Sequence, residues 1–293
     1  MVLSKDGRID VDQPLWDVNT FVGRFKYFAW MTDPRTCFTS SEKLYKAKTL
    51  VEEYRLGKEP KGTSKAEVLH AMKLYTSAFH PDTGDLQTFL GRMSFQVPGG
   101  LLITGAMLTW YKSIGGVVFW QWVNQSFNAF VNYTNRNANS PTTVTQLGAS
   151  YVAATTSALV TALGCKQYWQ KKASPLMARY VPFAAVAAAN CVNIPMMRQN
   201  EILQGIDVKD ENNNVVGRSR VAAMKGISQV VISRIVMAAP GMLLLPVVME
   251  KLEKQYPKFK QMTYLHGPFQ TVSVGFFLLV MVPVACALFP QRW

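Results

Sequence analysis

Between Asp85 and Glu201 the chain runs for 115 residues without a carboxylate. Five long apolar segments lie within and beyond that stretch, at 97–111, 144–163, 181–197, 227–249 and 268–289. Crossing a hydrocarbon core of about 30 Å takes about 20 helical residues, so these segments predict membrane-spanning helices before any motif is considered. The last two are comfortably long. The first and third are short and carry helix breakers, Gly99-Gly100 in one and Pro182 with Pro195 in the other. The expected fold is all-α: a polytopic membrane protein with about five transmembrane helices.

Charge divides the sequence in two. Residues 1–96 hold fourteen Lys/Arg against twelve Asp/Glu, and residues 97–293 hold seventeen against six. The first part predicts a soluble or peripheral helical segment, the second a transmembrane helical domain. In the first, Thr39 to Glu42 has the spacing of a capping box, and Gly57 can stop the helix it opens. Ser64 to Glu67 opens a second helix, which ends before His80-Pro81. The first twenty residues contain Asp6, Asp10, Asp12 and Asp17, which secretory and mitochondrial presequences avoid, so a targeting signal is expected to be internal. Cys37, Cys165, Cys191 and Cys286 form neither a zinc spacing nor a disulfide pattern and read as packing residues.

Residues 124–139 read NQSFNAFVNYTNRNAN, six asparagines in sixteen positions directly after an apolar run. Because Gln121, Asn124, Gln125 and Asn128 interrupt it, the segment 114–131 is expected to be an interfacial or re-entrant helix. The segment 144–163 is rich in small residues, and Ala149, Ala153 and Ser157, four apart, predict a close-packing seam between membrane helices. The basic loops expected at 166–179 and 250–267 would lie on the N-terminal side, which the positive-inside rule makes the matrix or cytosol. Bases flanking apolar spans suit anionic lipid headgroups and give no reason to invoke nucleic acid.

A carboxylate-free membrane half offers little to hard cations, and the histidines, His70, His80 and His266, do not supply the want; no metal or cofactor site is expected. Amides and hydroxyls suit a neutral, strongly polar solute instead. Asn124, Asn128 and Asn132 share one helical face, and Asn190 and Asn193 precede Pro195. These are candidate substrate contacts or, equally, bonds between helices. Arg234, the one charge inside a confident span, can hold a substrate carboxylate or snorkel to the interface. His80-Pro81-Asp82-Thr83-Gly84 has no accompanying nucleophile or second acid and reads as a helix stop and turn, so no catalytic residues are expected. There is no Walker motif, so ATP does not drive the protein directly.

Four blocks, HPDTG (80–84), FWQWVNQSFNAFVNYTNRNA (119–138), VPFAAVAAANCVNIPMMRQNE (181–201) and SRIVMAAPG (233–241), resemble the sideroflexin family, and the likeness runs over residues 16–291. It implies a five-span protein of the mitochondrial inner membrane that is not an enzyme and carries serine or similar small neutral amino acids into the matrix for one-carbon metabolism. It also implies a link to mitochondrial iron and heme homeostasis, for which a non-transporting membrane scaffold is the alternative. Family members usually continue past ALFPQ with a polar tail, whereas this sequence stops at Trp293.

Overall fold

A computed structural model describes residues 8–135, 143–172, 175–210 and 214–290. The end of the asparagine-rich stretch, from Arg136, lies outside the described residues. Helices in chain order are α1 (Phe21–Met31), α2 (Ser41–Arg55), α3 (Lys65–Ala78), α4 (Gln96–Thr109), α5 (Ile114–Thr134), α6 (Val144–Lys172), α7 (Pro175–Ala178), α8 (Val181–Met197), α9 (Gln199–Gln204), α10 (Arg220–Gln255), α11 (Pro257–Gln261) and α12 (Thr263–Ala287). The strands β1 (Ile206–Lys209) and β2 (Val215–Ser219) form an antiparallel hairpin between α9 and α10. The chain divides into two compact units, Met1–Gly99 with Leu279–Trp293, and Gly100–Leu278.

In the first unit α2 and α3 pack on each other around Leu44, Val51, Tyr54, Val68, Met72 and Phe79. The Ser64–Glu67 capping box forms as the sequence predicts, with Ser64 Oγ accepting from the Glu67 amide and Glu67 reaching back to the Ser64 amide. The box expected at Thr39–Glu42 does not form. Ser40 is the residue before α2 and makes no side-chain cap, and Glu42 instead pairs with Lys46 one turn on. Gly57 does end α2. Its φ of 70° lets the Lys58 amide donate back to the Glu53 carbonyl, closing a Schellman turn. HPDTG is a turn built around its own histidine: the Asp82 amide donates to His80 Nδ1 at 3.2 Å, and Gly84 takes a φ of 69°.

Among the buried charges that hold this unit are Arg24 and Asp33. Arg24 on α1 donates from Nε to the carbonyl of Ala287, the last residue of α12, at 2.8 Å, and from Nη1 to the carbonyls of Val18 and Asn19. Asp33 is held by Arg35 at 2.6 Å and by Lys73. Hydrogen bonds from the Arg35 side chain, followed by those from Lys73, keep its carboxyl well below the usual carboxylate range against the opposing effect of burial.

The second unit is built on small residues. Gln146, Ser150, Ala154, Ala158 and Ala162 form a buried stripe along α6, four residues apart, and three of them are alanines with almost no exposed surface. The seam expected at Ala149, Ala153 and Ser157 is therefore one position out, since Ala149 is exposed. Small residues lie all around this helix, so spacing alone could not choose the face. The stripe lets α8 approach closely: Ala162 packs with Val181 and Ala185, while Gln146 at the other end reaches the carbonyls of Met196 and Met197. The two helices are thus antiparallel.

Among the described residues four stretches are long and apolar enough to cross a membrane: Val144–Tyr168, Leu176–Met197, Arg220–Gln255 and Thr263–Ala287. The first expected span is the 14-residue α4, unbroken by Gly99-Gly100 and short of a full crossing. It lies antiparallel to α12. A Cβ at Gly100 would meet Leu278, one at Gly105 would sit 2.8 Å from Thr271 Cα, and one at Gly267 would meet Thr109. Pro182 stands in the first turn of α8, where a missing N–H costs nothing, so Pro195 is the only breaker inside that helix. The segment expected to be interfacial is instead the continuous 21-residue α5, lengthwise beside α6 and α8, because its amides turn into the bundle. Lys166, expected in a loop, lies on α6 and donates to the Lys112 carbonyl.

The glycine contact gives a paired test. Gly105→Ala drives a methyl into the α12 backbone and should cost about 1–3 kcal/mol, read as a lowered Tm in detergent. Gly148→Ala, which meets open space on α6, should hold or raise Tm by up to about 1 kcal/mol.

Asp33 gives a pH test. Its folded pKa lies below the unfolded value of about 3.9, so its stabilisation is present above that pH and is lost as pH falls through the folded value. Asp33→Asn should destabilise the protein by about 1–3 kcal/mol at pH 7, with the gap to wild type narrowing in acid below about pH 4.

Candidate functional site

The interior of the second unit is polar over about two helical turns. On α5, Val117, Gln121, Asn124, Gln125 and Val131 are buried, a stripe at helical spacing that faces α6 and α8. Val117 packs with Ala162 of α6 and with Val181 and Ala185 of α8. Further along, Ser126 Oγ meets Tyr151 Oη of α6 at 2.9 Å, and Asn132 Nδ2 donates to Met197 Sδ of α8 at 3.4 Å. These contacts fix the register: α5 runs antiparallel to α6 and parallel to α8.

Reading along that register brings four side chains to neighbouring levels. Thr155, one turn from Tyr151 on the same face of α6, falls between Gln121 and Asn124. On α8, Asn190 comes level with Asn124, and Asn193 about one turn further, level with Asn128. Gln121 Oε1, Asn124 Nδ2, Thr155 Oγ1 and Asn193 Oδ1 are all buried, and none of these atoms has a hydrogen-bond partner in the protein. Gln121 is only 2% exposed and Asn193 4%. An unsatisfied buried polar atom costs about 1–3 kcal/mol, so several at neighbouring levels are expensive unless a solute or water engages them.

Arg234 lies on α10, which packs on α8. Ala238 and Met242 of α10 pack with Phe183 and Val186 of α8, and α9 packs on the start of α10, so α10 is antiparallel to α8. That register carries Arg234 to the level of Asn190–Asn193. Its spacing from the buried Ile227, Met242, Leu245 and Met249 puts it in line with them on α10. The helix begins at Arg220, so Arg234 lies far deeper in it than the segment 227–249 suggests, half-buried rather than at an end.

Polar contacts close the bundle on both sides of this level. At one end Gln146 binds the last carbonyls of α8, and its Oε1 accepts from Asn200 Nδ2 at 3.1 Å. At the other end Arg179 Nη2 pairs with Glu253 Oε2 at 2.6 Å, with His266 Nδ1 3.8 Å from the same carboxylate.

Of the residues singled out in the sequence, Asn124 and Asn190 come level, Asn193 and the half-buried Asn128 share the next turn, and Arg234 is level with Asn190–Asn193. Asn132 lies at the Gln146 end against Met197. Gln121 and Thr155 complete the constellation and were not among the sequence candidates. Gln121 carried a usable signal, a polar residue three before Asn124 in an apolar run. Thr155 is one of several hydroxyls on α6, and nothing in the sequence separates it from Thr156.

The sideroflexin family model matches residues 10–293. The chain belongs to the sideroflexin family. It is 66% identical to Sideroflexin-2 of Drosophila melanogaster over 97% of this chain and 86% of that protein. It is 59% identical to Sideroflexin-2 of Homo sapiens over 97% and 87%, and 51% identical to Sideroflexin-1 of Mus musculus over 97% and 88%. No solved structure matches it. With the apolar helices α6, α8, α10 and α12, this sideroflexin is a multi-pass membrane protein.

The orphaned amides yield a prediction that separates a binding site from structural glue. Replacing Asn193 by Leu removes a buried acceptor without a protein partner, so Asn193→Leu should keep or raise Tm, by up to about 1 kcal/mol in stability. If the amide instead tied helices together, the same change would lower stability by a comparable amount. Thermal unfolding of the purified protein in detergent distinguishes the two.

Proposed function

We propose that this sideroflexin carries a small neutral amino acid, serine foremost, across the mitochondrial inner membrane into the matrix, where it supplies one-carbon metabolism. The observation that carries the reading is the set of buried amide and hydroxyl atoms without protein partners, inside a bundle whose sequence holds no carboxylate from residue 86 to residue 200. A zwitterion with a hydroxyl group matches that set. Asn193 Oδ1 accepts from its ammonium, Asn124 Nδ2 donates to its carboxylate, and its hydroxyl, at the Gln121 end, donates to Gln121 Oε1 and exchanges a hydrogen bond with Thr155. Arg234, with Asn190 at its level, offers the planar fork that binds a carboxylate through two bonds, and Asn128 extends the polar lining. Asn132 belongs to the approach on the Gln146 side.

The two polar closures support alternating access. Opening the Arg179–Glu253 end exposes the site to one side of the membrane, and parting the Gln146–Met197 contacts exposes it to the other. Pro195 supports this second motion, because it withholds a backbone donor in the last turn of α8. A connection to iron and heme follows from the matrix chemistry that the carried amino acid feeds, and it requires no metal path through the bundle.

Purified protein in proteoliposomes should accumulate labelled serine, with alanine competing. Arg234→Gln should cut uptake at least about tenfold, the equivalent of about 1.4 kcal/mol, while inserting normally. Folded protein that gives no uptake above empty vesicles would favour the scaffold reading instead.

A further inference from the structure

Several large apolar side chains of the first unit stand in the open. Phe38 is 81% exposed, and Phe21, Val22, Phe89 and Leu90 are exposed as well. They fall into two groups, and each group lies where an apolar helix enters or leaves the unit.

The first group leads into α4. Phe38 and Phe89 meet with ring centroids 5.7 Å apart, and Phe89 meets Phe95 at 4.7 Å. Phe95 immediately precedes Gln96, the first residue of α4. The second group sits on α1, where Phe21 and Val22 share a helix with Arg24, and Arg24 grips the carbonyl of the last residue of α12. Because α12 is apolar enough to cross a membrane and α4 lies against it through Gly100, Gly105 and Gly267, both groups mark the level at which the chain passes into lipid.

We propose that Phe38, Phe89 and Leu90, together with Phe21 and Val22, form a lipid-seating face that holds the N-terminal unit at the boundary between headgroups and acyl chains. Aromatic side chains are favoured at that depth because an apolar ring tolerates a half-wet environment. Bases are placed to match. Lys26 is exposed one turn from Val22, and Arg35 is exposed three residues before Phe38. Long cationic side chains beside buried rings reach out to anionic headgroups. The other exposed surface of α2 and α3 has an exposed ring, Tyr45, set among acids as well as bases, with Lys46 beside it paired to Glu42. It carries Glu42, Lys43, Lys46 and Glu52, and near Leu56 the ion pairs Arg55–Asp12 and Arg8–Glu59. A second copy of the chain or a soluble partner gives no reason for the rings to collect beside the start of α4 and the end of α12. A bilayer does.

The test places a photoreactive benzoylphenylalanine at Phe38, Phe21 or Leu56 of the full chain. Leu56, between Phe21 and Phe38 in exposure, lies a whole α2 length away from Ser40, about 22 Å. The protein is reconstituted in vesicles of phosphatidylcholine with phosphatidylglycerol, irradiated, and analysed by mass spectrometry. Probes at Phe38 and Phe21 should form lipid adducts and the probe at Leu56 should not. With the probe at Phe21, Lys26→Glu should lower the preference for phosphatidylglycerol over phosphatidylcholine about fivefold, as expected for about 1 kcal/mol per base at the surface. Equal adducts at Phe38 and Leu56 would overturn the proposal. So would cross-links from Phe38 to a second copy of the chain in place of lipid.

Discussion

Close approach of α6 and α8 is the constraint on which the second unit rests. Lipid tails are as apolar as leucine, so burying hydrocarbon does not by itself hold membrane helices together; packing and hydrogen bonds do. Ala154, Ala158 and Ala162 on one helix and Ala185 and Ala189 on the other leave almost no surface exposed. With these two backbones locked antiparallel, α5 can lie along both, and its register follows from Val117 at one end and Asn132 at the other. Glycine repeats the device between α4 and α12.

That packing also creates the polar interior. A helix that buries a glutamine, an asparagine and a second glutamine in its middle is a poor neighbour for lipid and, with acceptors unmatched, a costly neighbour for protein. The cost is concentrated at neighbouring levels, bounded at one end by Gln146 and at the other by the Arg179–Glu253 pair. Polar atoms that served only to join helices would pair with one another, as Ser126 and Tyr151 do. Atoms left for a solute must stay unpaired until it arrives.

The sequence was informative where one force dominated. The apolar run at 181–197 became α8 to the residue, the run at 268–289 fell on α12, which begins five residues earlier, and Ser64 capped α3, because hydropathy and local hydrogen bonding decide those features. It misled where geometry between helices decides. The α6 seam shifted by one residue, since alanine, serine and threonine are found on every face. The segment 114–131 looked interfacial because its amides seemed to need water, and in the fold they face other helices. Asn124, Asn190 and Asn193 were legible as candidates because polarity inside an apolar run is conspicuous. Thr155 was not, because its importance comes from the register of α6 against α5.

Equilibrium binding tests the central claim most directly. Labelled serine should bind the purified protein saturably in a scintillation-proximity assay. Gln121→Leu and Asn193→Leu should each abolish that binding while the protein stays folded with an undiminished Tm. Saturable serine binding that survives both substitutions unchanged would place the substrate elsewhere and contradict the assignment of the buried amides.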